Sequence, residues 1–334
     1  FHVRHFRGLT LLGMALGIGA LILPLAFGEW KNGAKNWVSV PLLGSFQPSE
    51  IVKLSVVLAL AYFFSAHRTV WQMMPALVFA AACLLLLMMQ RDLGTALIYY
   101  LTTLVLFYVA CGNVPLTILG LGGGAGAAVL GYQMFAHVKV RVAMWRNPWS
   151  DPTDKGYQII QALLAIGSGG LFGVGLGNSS EKYDYLPEAE TDFIFAIIGE
   201  ELGLVGALLV IVAFLVFMRG GFLIASQAST PFGSLLAAGL TVMIVFQAFL
   251  NISCVVGLFP TTGKPLPFIS SGGSSLLSSL ALVGVLLSIS FDSNNEGEYR
   301  QRRDNLQVVS RVSPTDRSVR GGRNSEGRDV RDRR

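Results

Sequence analysis

Apolar residues along this chain neither alternate nor recur on one helical face. They come in unbroken runs separated by short polar stretches. Eight such runs are readable: Leu9–Phe27, Pro48–Ser65, Met73–Met89, Leu93–Cys111, Val114–Phe135, Asp192–Met218, Gly233–Phe259 and Phe268–Phe291. Each approaches the roughly 20 residues a helix needs to cross a bilayer. None shows the ~10-residue alternation of a membrane-spanning strand. Backbone groups in lipid must then be satisfied within helices. The pattern predicts an all-α fold, a polytopic transmembrane helix bundle, with one long loop at His137–Thr191.

Composition agrees: 52% of the 334 residues are hydrophobic and 13% charged, against about 25% charged in a soluble domain. Eight crossings put both ends on one side. Arg4 and Arg7 precede the first run and eleven arginines fall between Arg300 and Arg334, so the positive-inside rule makes both ends cytoplasmic. Arg68 and Arg219 fall in loops on the same side, and the long loop becomes extracytoplasmic. That loop nevertheless carries Lys139, Arg141, Arg146, Lys155 and Lys182. Basic residues outside, against the usual bias, are candidates for an anionic ligand. The membrane domain is 1–291. The tail, 292–334, is polar and Arg-rich, the composition of a disordered segment; it sets topology or touches lipid or a cytoplasmic partner. Cys83, Cys111 and Cys254 lack metal spacing, and four scattered histidines argue against a His-based metal site. The chain opens on Phe1, and FHVRHFRG reads as the interior of a longer protein.

The chemistry sits at the ends of the runs. In GSFQPSEIVKL, Pro48 suits a first helical turn, and Glu50 and Lys53, three apart, share a face; they are a structural ion pair or part of a polar cavity. QRDLGTAL places Arg91 and Asp92 in an interfacial hairpin turn. VRVAMWRNPWSDP mixes Trp145 and Trp149, suited to an interfacial belt, with Arg141 and Arg146, whose fork geometry suits phosphate. Tyr157–Ile166 has the pattern of an amphipathic helix lying on the membrane. GSGGLFGVGLGN lacks the GK[ST] of a phosphate-binding loop and reads as close-packed turns. In PTTGKPLPFISSGGSS, small residues permit close helix approach, and its serines lack the His–Asp partners of a nucleophile.

YLPEAETDFIFAIIGEELG poses a sharper question, because it places acids at the mouth of a span and inside it. Thr191 or Asp192 is a natural N-cap. Asp192 beside a basic loop is also a candidate general base. Glu200 and Glu201, about two turns deeper, must face the bundle interior or a wet cavity, for ion transport or for structural hydrogen bonds.

Together these motifs, FQPSEIVKL, RDLGTALI, RNPWSDP, GYQIIQALLAIGSGGLFGVGLGNS, YLPEAETDFIFAIIGEELG and GLFPTTGKPLPFISSGGSSLL, resemble the shape, elongation, division and sporulation family of FtsW, RodA and SpoVE, in family order over residues 1 to about 291. YLPEA, the glycine-rich GVGLGNS and the PTTG…PLPFIS run resemble the division branch more than the rod-elongation branch. Family members typically have ten spans, and this chain is similar to them from just before the third. The resemblance implies a peptidoglycan glycosyltransferase that polymerises lipid II at the outer face of the bacterial cytoplasmic membrane, with undecaprenyl diphosphate leaving. It implies a class B penicillin-binding protein, a transpeptidase, as partner, with other division proteins reached through the tail, and no nucleic acid.

The family's essential acid falls on Asp192, which would take the proton from the acceptor sugar's 4-hydroxyl. Arg141 and Lys53 match family cations and become candidates for diphosphate contact, with a divalent cation, magnesium or manganese, as a possible helper. Glu50, Asp92, Lys264 and Ser270 complete the candidate substrate contacts, and Glu200 and Glu201 take structural or cavity roles. The chain departs from the family pattern at Glu190 (commonly His), Ser271 (Tyr), Lys264 (often Ile) and Arg91 (often Pro). Glu190 should raise the pKa of Asp192, with Lys264 compensating across the site. Two other functions compete: a flippase for the lipid-linked precursor, which would lean on Glu200 and Glu201 and on inverted repeats that the sequence does not display, and a non-catalytic division scaffold.

Overall fold

The computed structural model describes residues 8–31, 33–40, 44–66, 70–183 and 185–312. Its order is α1 (Thr10–Phe27), β1 (Glu29–Lys31), β2 (Ala34–Val40), β3 (Gly44–Phe46), α2 (Pro48–Ala66), α3 (Val70–Met89), α4 (Leu93–Cys111), α5 (Val114–Met134), α6 (Ala136–Arg146), a 3-10 turn (Pro148–Ser150), α7 (Tyr157–Gly169), α8 (Ile194–Gln227), α9 (Pro231–Val255) and α10 (Gly273–Val312). Among the described residues, eight helices are long and apolar enough to cross a membrane: α1 to α5, α8, α9 and the Gly273–Ser293 part of α10. The eight apolar runs thus correspond one to one with helices.

The centre of the bundle is α9, 83% buried, whereas α5 is only 6% buried at the periphery. A helix that is apolar all round belongs inside, and α9 packs against α2, α4, α8 and α10. Connections at one end of the bundle are the ones that matter for the site. They are the β1–β3 segment, the Gln90–Asp92 turn, the stretch from Phe135 to Phe193 and the loop from Val256 to Gly272.

Four boundaries differ from expectation. A three-stranded antiparallel sheet stands between α1 and α2, with Glu29 opposite Trp37 and Val38 opposite Phe46. Its sequence signal, the Asn-Gly hairpin dipeptide at 32–33, is present, but the strands are too short and polar to register beside the spans. The last span begins at Gly273 rather than at Phe268, which takes a left-handed φ of 66°. The span after the long loop runs on to Gln227 as α8, so Arg219 lies in a helix. Finally, α10 continues to Val312, so the polar tail expected to be disordered from 292 is helical that far. The sequence there spaces Glu296 and Glu298 four residues before Arg300 and Arg302, an arrangement that favours helix. Residues 313–334 lie outside the described residues.

Helix α8 is broken at Gly203 (φ 65°, ψ −163°). The glycine-rich loop fills the break: Val174 N and Gly175 N donate to the carbonyls of Glu200 and Glu201, and Leu204 N and Val205 N donate to those of Gly170 and Leu171. A Cβ at Gly203 would stand 2.4 Å from Gly173 N. Only glycine permits that left-handed backbone and that approach. These four bonds give backbone groups freed by the break partners in the loop, as membrane-level backbone requires.

Candidate active site

A cavity of about 590 Å³ opens among these connections. Its walls come from β2 (Asn36, Trp37), the α3–α4 turn (Arg91, Asp92), α6 (Val140, Arg141), Lys155, Gln158 of α7, the approach to α8 (Glu188, Thr191, Asp192, Phe193) and the α9–α10 loop (Thr261 to Pro265). Segments far apart in sequence therefore converge on one polar space.

Asp92 caps α4 by accepting from Thr95 N at 3.2 Å. The rest of its carboxylate is also occupied. Lys264 Nζ lies 2.9 Å from Oδ1 with both side chains 2% exposed. Gln47 Nε2 (2.7 Å), Thr95 Oγ1 (2.9 Å) and Ser49 Oγ (3.3 Å) donate to Oδ2. Lys264 reaches this place across Gly94, where a Cβ would stand 2.8 Å from its Cγ. Burial pushes the Asp92 carboxyl up, but the Lys264 charge and the hydrogen bonds outweigh it and hold the pKa at about 2. Asp92 is an anchor with both carboxylate oxygens engaged.

Asp192 is its opposite. It does not cap α8: the capping position is Phe193 with no side-chain bond, and Thr191 Oγ1 turns back to Glu188 Oε2 at 2.7 Å. The expected N-cap is overridden because this turn is stitched to the α9–α10 loop. Asn251 Nδ2 donates both to Asp192 O and to Lys264 O, each at 2.7 Å. Ser270 Oγ donates to Thr191 O at 2.5 Å and accepts from Leu266 N at 2.7 Å. Ser271 N donates to Glu190 O at 2.8 Å. Gly263 faces the acid, so that a Cβ there would lie 3.4 Å from Asp192 Oδ2.

Among the described residues the Asp192 carboxylate accepts no hydrogen bond. Burial raises its pKa to about 6, with Lys264 and Arg141 drawing it down and Glu188 and Asp92 pushing it up. The neighbouring acid that matters is Glu188, which lines the cavity, not Glu190, which does not. Lys264 does offset the acids, though its ammonium is paired with Asp92.

The other expected site residues divide. Arg141 lines the cavity and spends one N–H on Thr261 O at 3.2 Å. Burial lowers its pKa while Asp92 and Asp192 hold it up, and a guanidinium stays charged. Trp145 Nε1 donates to Gly257 O at 2.8 Å, tying α6 to the same loop. Lys53, expected at the diphosphate, is instead sealed below the cavity at 2% exposure. Its Nζ bonds Glu50 Oε2 at 2.6 Å and Gln247 Oε1. Glu50 is likewise buried, and neither lines the cavity. Gln247 passes this support on, donating to Pro265 O at 2.8 Å. Ser270 has its hydroxyl committed to backbone and positions the turn. A pair placed by i,i+3 spacing could be structural or cavity-facing; here it is structural because α9 closes over it.

Glu200 and Glu201 brace rather than line the cavity. Ser179 Oγ (2.5 Å) and Ser180 N (2.9 Å) donate to Glu200, and Lys182 Nζ lies 2.6 Å from Glu201 Oε1. Helix α7, expected as a membrane-surface amphipathic helix, packs on α8 through Ile159, Ile160, Ala162 and Ala165. Among the described residues, no three His, Cys, Asp or Glu side chains gather as a metal site. Gln247 and Asn251, the organisers of the loop, were passed over in the sequence. Their signal was there: two amides four apart on one face in an otherwise apolar span.

The chain's residues 1–295 match the family model described as "Cell cycle protein", that of FtsW, RodA and SpoVE. It is 43% identical over 276 residues to stage V sporulation protein E of Bacillus subtilis, covering 81% of this chain and 75% of that one. It is 40% identical over 300 residues to a probable peptidoglycan glycosyltransferase FtsW of Geobacter sulfurreducens, covering 86% and 78%. Among solved structures, it resembles a chain of a peptidoglycan synthase complex coordinating polymerization and crosslinking, with TM-score 0.74, 27% identity and coverage of 88% and 84%. It also resembles the rod shape determining protein RodA of Thermus thermophilus, with TM-score 0.65, 27% identity and coverage of 88% and 81%.

Proposed function

The chain belongs to the FtsW, RodA and SpoVE family of cell cycle proteins, and from that premise we propose that it is a multi-pass membrane peptidoglycan glycosyltransferase that polymerises lipid II for septal wall synthesis. The observation that carries the chemistry is Asp192: the cavity carboxylate with no hydrogen bond among the described residues, with a pKa pushed up to about 6. A base is most useful when its pKa lies near the working pH.

Asp192 takes the proton of the acceptor's 4-hydroxyl as that oxygen attacks C1 of the donor sugar. The bond from C1 to the phosphate oxygen breaks, and undecaprenyl diphosphate leaves with the bonding pair. Arg141, fixed by Thr261 O, stabilises the charge that develops on the leaving diphosphate. This is a displacement at an anomeric carbon, not the hydrolytic scheme with two carboxylates flanking the bond; Asp92, ionised and fully bonded, is not free to act as a second acid. A magnesium-type cation would be held chiefly by the substrate's own phosphates, since Asp192 serves as the base and Asp92 is paired with Lys264; it would neutralise the diphosphate.

The cavity faces outward in this reading, because its walls lie on the end of the bundle opposite the Arg-rich C-terminal segment. A class B penicillin-binding protein is the partner we propose, by analogy with the peptidoglycan synthase complex to which the chain is similar. The Glu200 and Glu201 carboxylates are spent on the glycine-rich loop, which leaves a flippase without its candidate carriers. The test is lipid II polymerisation by the purified protein with its transpeptidase partner, wild type against Asp192→Asn. Glycan strands from wild type alone support the assignment; equal yields remove Asp192 as the base.

A further inference from the structure

Among the described residues, three cations on the cavity wall form no close ion pair. Arg91, Arg141 and Lys155 all line the cavity, and among the described residues the ion pairs are Lys53–Glu50, Lys182–Glu201 and Lys264–Asp92. The imidazole of His137 feels both Arg91 and Arg141, which after burial lower its pKa. Arg141 feels the charges of Asp92 and Asp192, but none of the three cations closes onto a carboxylate in those pairs, which leaves charged N–H donors on the wall for an anion.

Arg91 is also held in place with some care. It follows α3 directly, and its N–H donates to Met88 O at 3.0 Å while Asp92 N donates to Leu87 O at 2.9 Å. That is the Schellman closure of a helix, with Arg91 in the left-handed position at φ 60°. Glycine is the usual occupant there, so the chain accepts backbone strain to keep a guanidinium at this point. The guanidinium lies 4.9 Å from the centre of the Trp30 ring, itself 59% exposed. A face-on aromatic fixes the cation's plane while leaving its N–H fork open. Trp30 follows the end of α1 and Arg91 the end of α3, so both sit at the depth of the lipid headgroups, where interfacial tryptophans collect.

We propose that Arg91, Arg141 and Lys155 form one anion-binding wall, and that Arg91 on Trp30 grips the diphosphate of a polyprenyl-linked substrate at headgroup depth. The proposal rests on the polymerase reading and adds to it a specific contact for the leaving group. Arg91 touches the phosphate oxygens through paired N–H donors, Lys155 contributes a mobile point charge, and Arg141 closes the wall from α6. Arg91 serves binding and leaving-group charge; proton transfer stays with Asp192.

The test uses the whole chain in nanodiscs and follows quenching of its tryptophan fluorescence by undecaprenyl diphosphate. Arg91→Gly is the informative variant, because glycine suits the left-handed backbone and removes only the guanidinium. It should weaken binding about tenfold or more, the scale of a lost charged hydrogen bond, with Arg91→Lys recovering part of the loss. Inorganic pyrophosphate should show the same dependence on Arg91 at lower affinity, which separates the diphosphate from its lipid chain. Equal affinity of wild type and Arg91→Gly for undecaprenyl diphosphate overturns the wall, as does an equal loss toward vesicles of phosphatidylglycerol, which would make it a general lipid-phosphate surface. Either result leaves the polymerase reading intact if wild type still makes strands and Asp192→Asn does not. Failure of wild type to make strands would fault that reading itself.

Discussion

Asp92 and Asp192 line one cavity and feel the same lysine, yet their carboxyls titrate near 2 and near 6. Lys264 gives its ammonium to Asp92 and only its field to Asp192. One acid becomes structure and the other is left available. Two titrating groups whose surroundings push their pKa values apart are how a single site separates an anchor from a base.

The first prediction concerns pH. A base with a pKa near 6 is active when deprotonated, so polymerisation should fall with an acidic limb centred near pH 6. Glu188 is one of the charges holding that pKa up. Glu188→Gln should therefore move the limb to lower pH while leaving the plateau rate within a few fold. Rates of strand formation between pH 5 and 8 decide it; an unmoved limb would assign the ionisation elsewhere.

A second prediction follows by linkage. The folded pKa of Asp192 stands above its ordinary value of 3.8. The folded state therefore prefers the proton, and stability falls as pH rises from about 4 to about 6, after which the penalty is constant. At pH 7 the ionised acid costs on the order of 2–3 kcal/mol. Asp192→Asn should thus raise the thermal midpoint in detergent while abolishing strand synthesis. A midpoint that fell would mean that the carboxylate has a stabilising partner in the folded protein.

The spans were legible because a bilayer imposes continuous apolar runs, and their number and order follow directly. The site was legible in parts. Asp192, Arg141, Asp92 and Lys264 line one cavity, whereas Lys53 and Glu50 lie beneath it. Spacing placed Lys53 and Glu50 on one helix face; it could not say that α9 would close over that face. The N-cap rule assigned Thr191 or Asp192 from local sequence, but Asn251 and Ser270, from 59 and 79 positions away, hold the turn differently. Arg91 read as an ordinary turn residue because its partner Trp30 belongs to a sheet that the hydrophobic pattern does not reveal.

The third prediction addresses the Lys264–Asp92 pair. Removing one member of a buried pair leaves a charge without compensation and costs about 3–5 kcal/mol. Lys264→Met should therefore lower the thermal midpoint sharply. The double variant Lys264→Met with Asp92→Asn should recover much of the loss, since no buried charge remains. A double-mutant cycle on the midpoints measures the coupling; additive losses would show that the two groups act independently.

The last prediction concerns the break in α8. Gly203 holds a left-handed backbone with Gly173 N and Leu171 O 2.4 and 2.6 Å from where a Cβ would stand. Alanine there pays about 1–2 kcal/mol for its conformation, and it also overlaps backbone that cannot move without releasing the loop. The hydrogen bonds from Val174 and Gly175 to the carbonyls of Glu200 and Glu201 would go first. The side-chain ties of Ser179, Ser180 and Lys182 to the same two glutamates would follow. Gly203→Ala should therefore free the 170–182 segment, and trypsin should cut after Lys182 much faster in the variant than in wild type. Glu201→Gln, which removes the charge holding Lys182 but spares the backbone, should accelerate cleavage less. Equal cleavage rates in all three proteins would show that the loop is held by contacts other than the helix break.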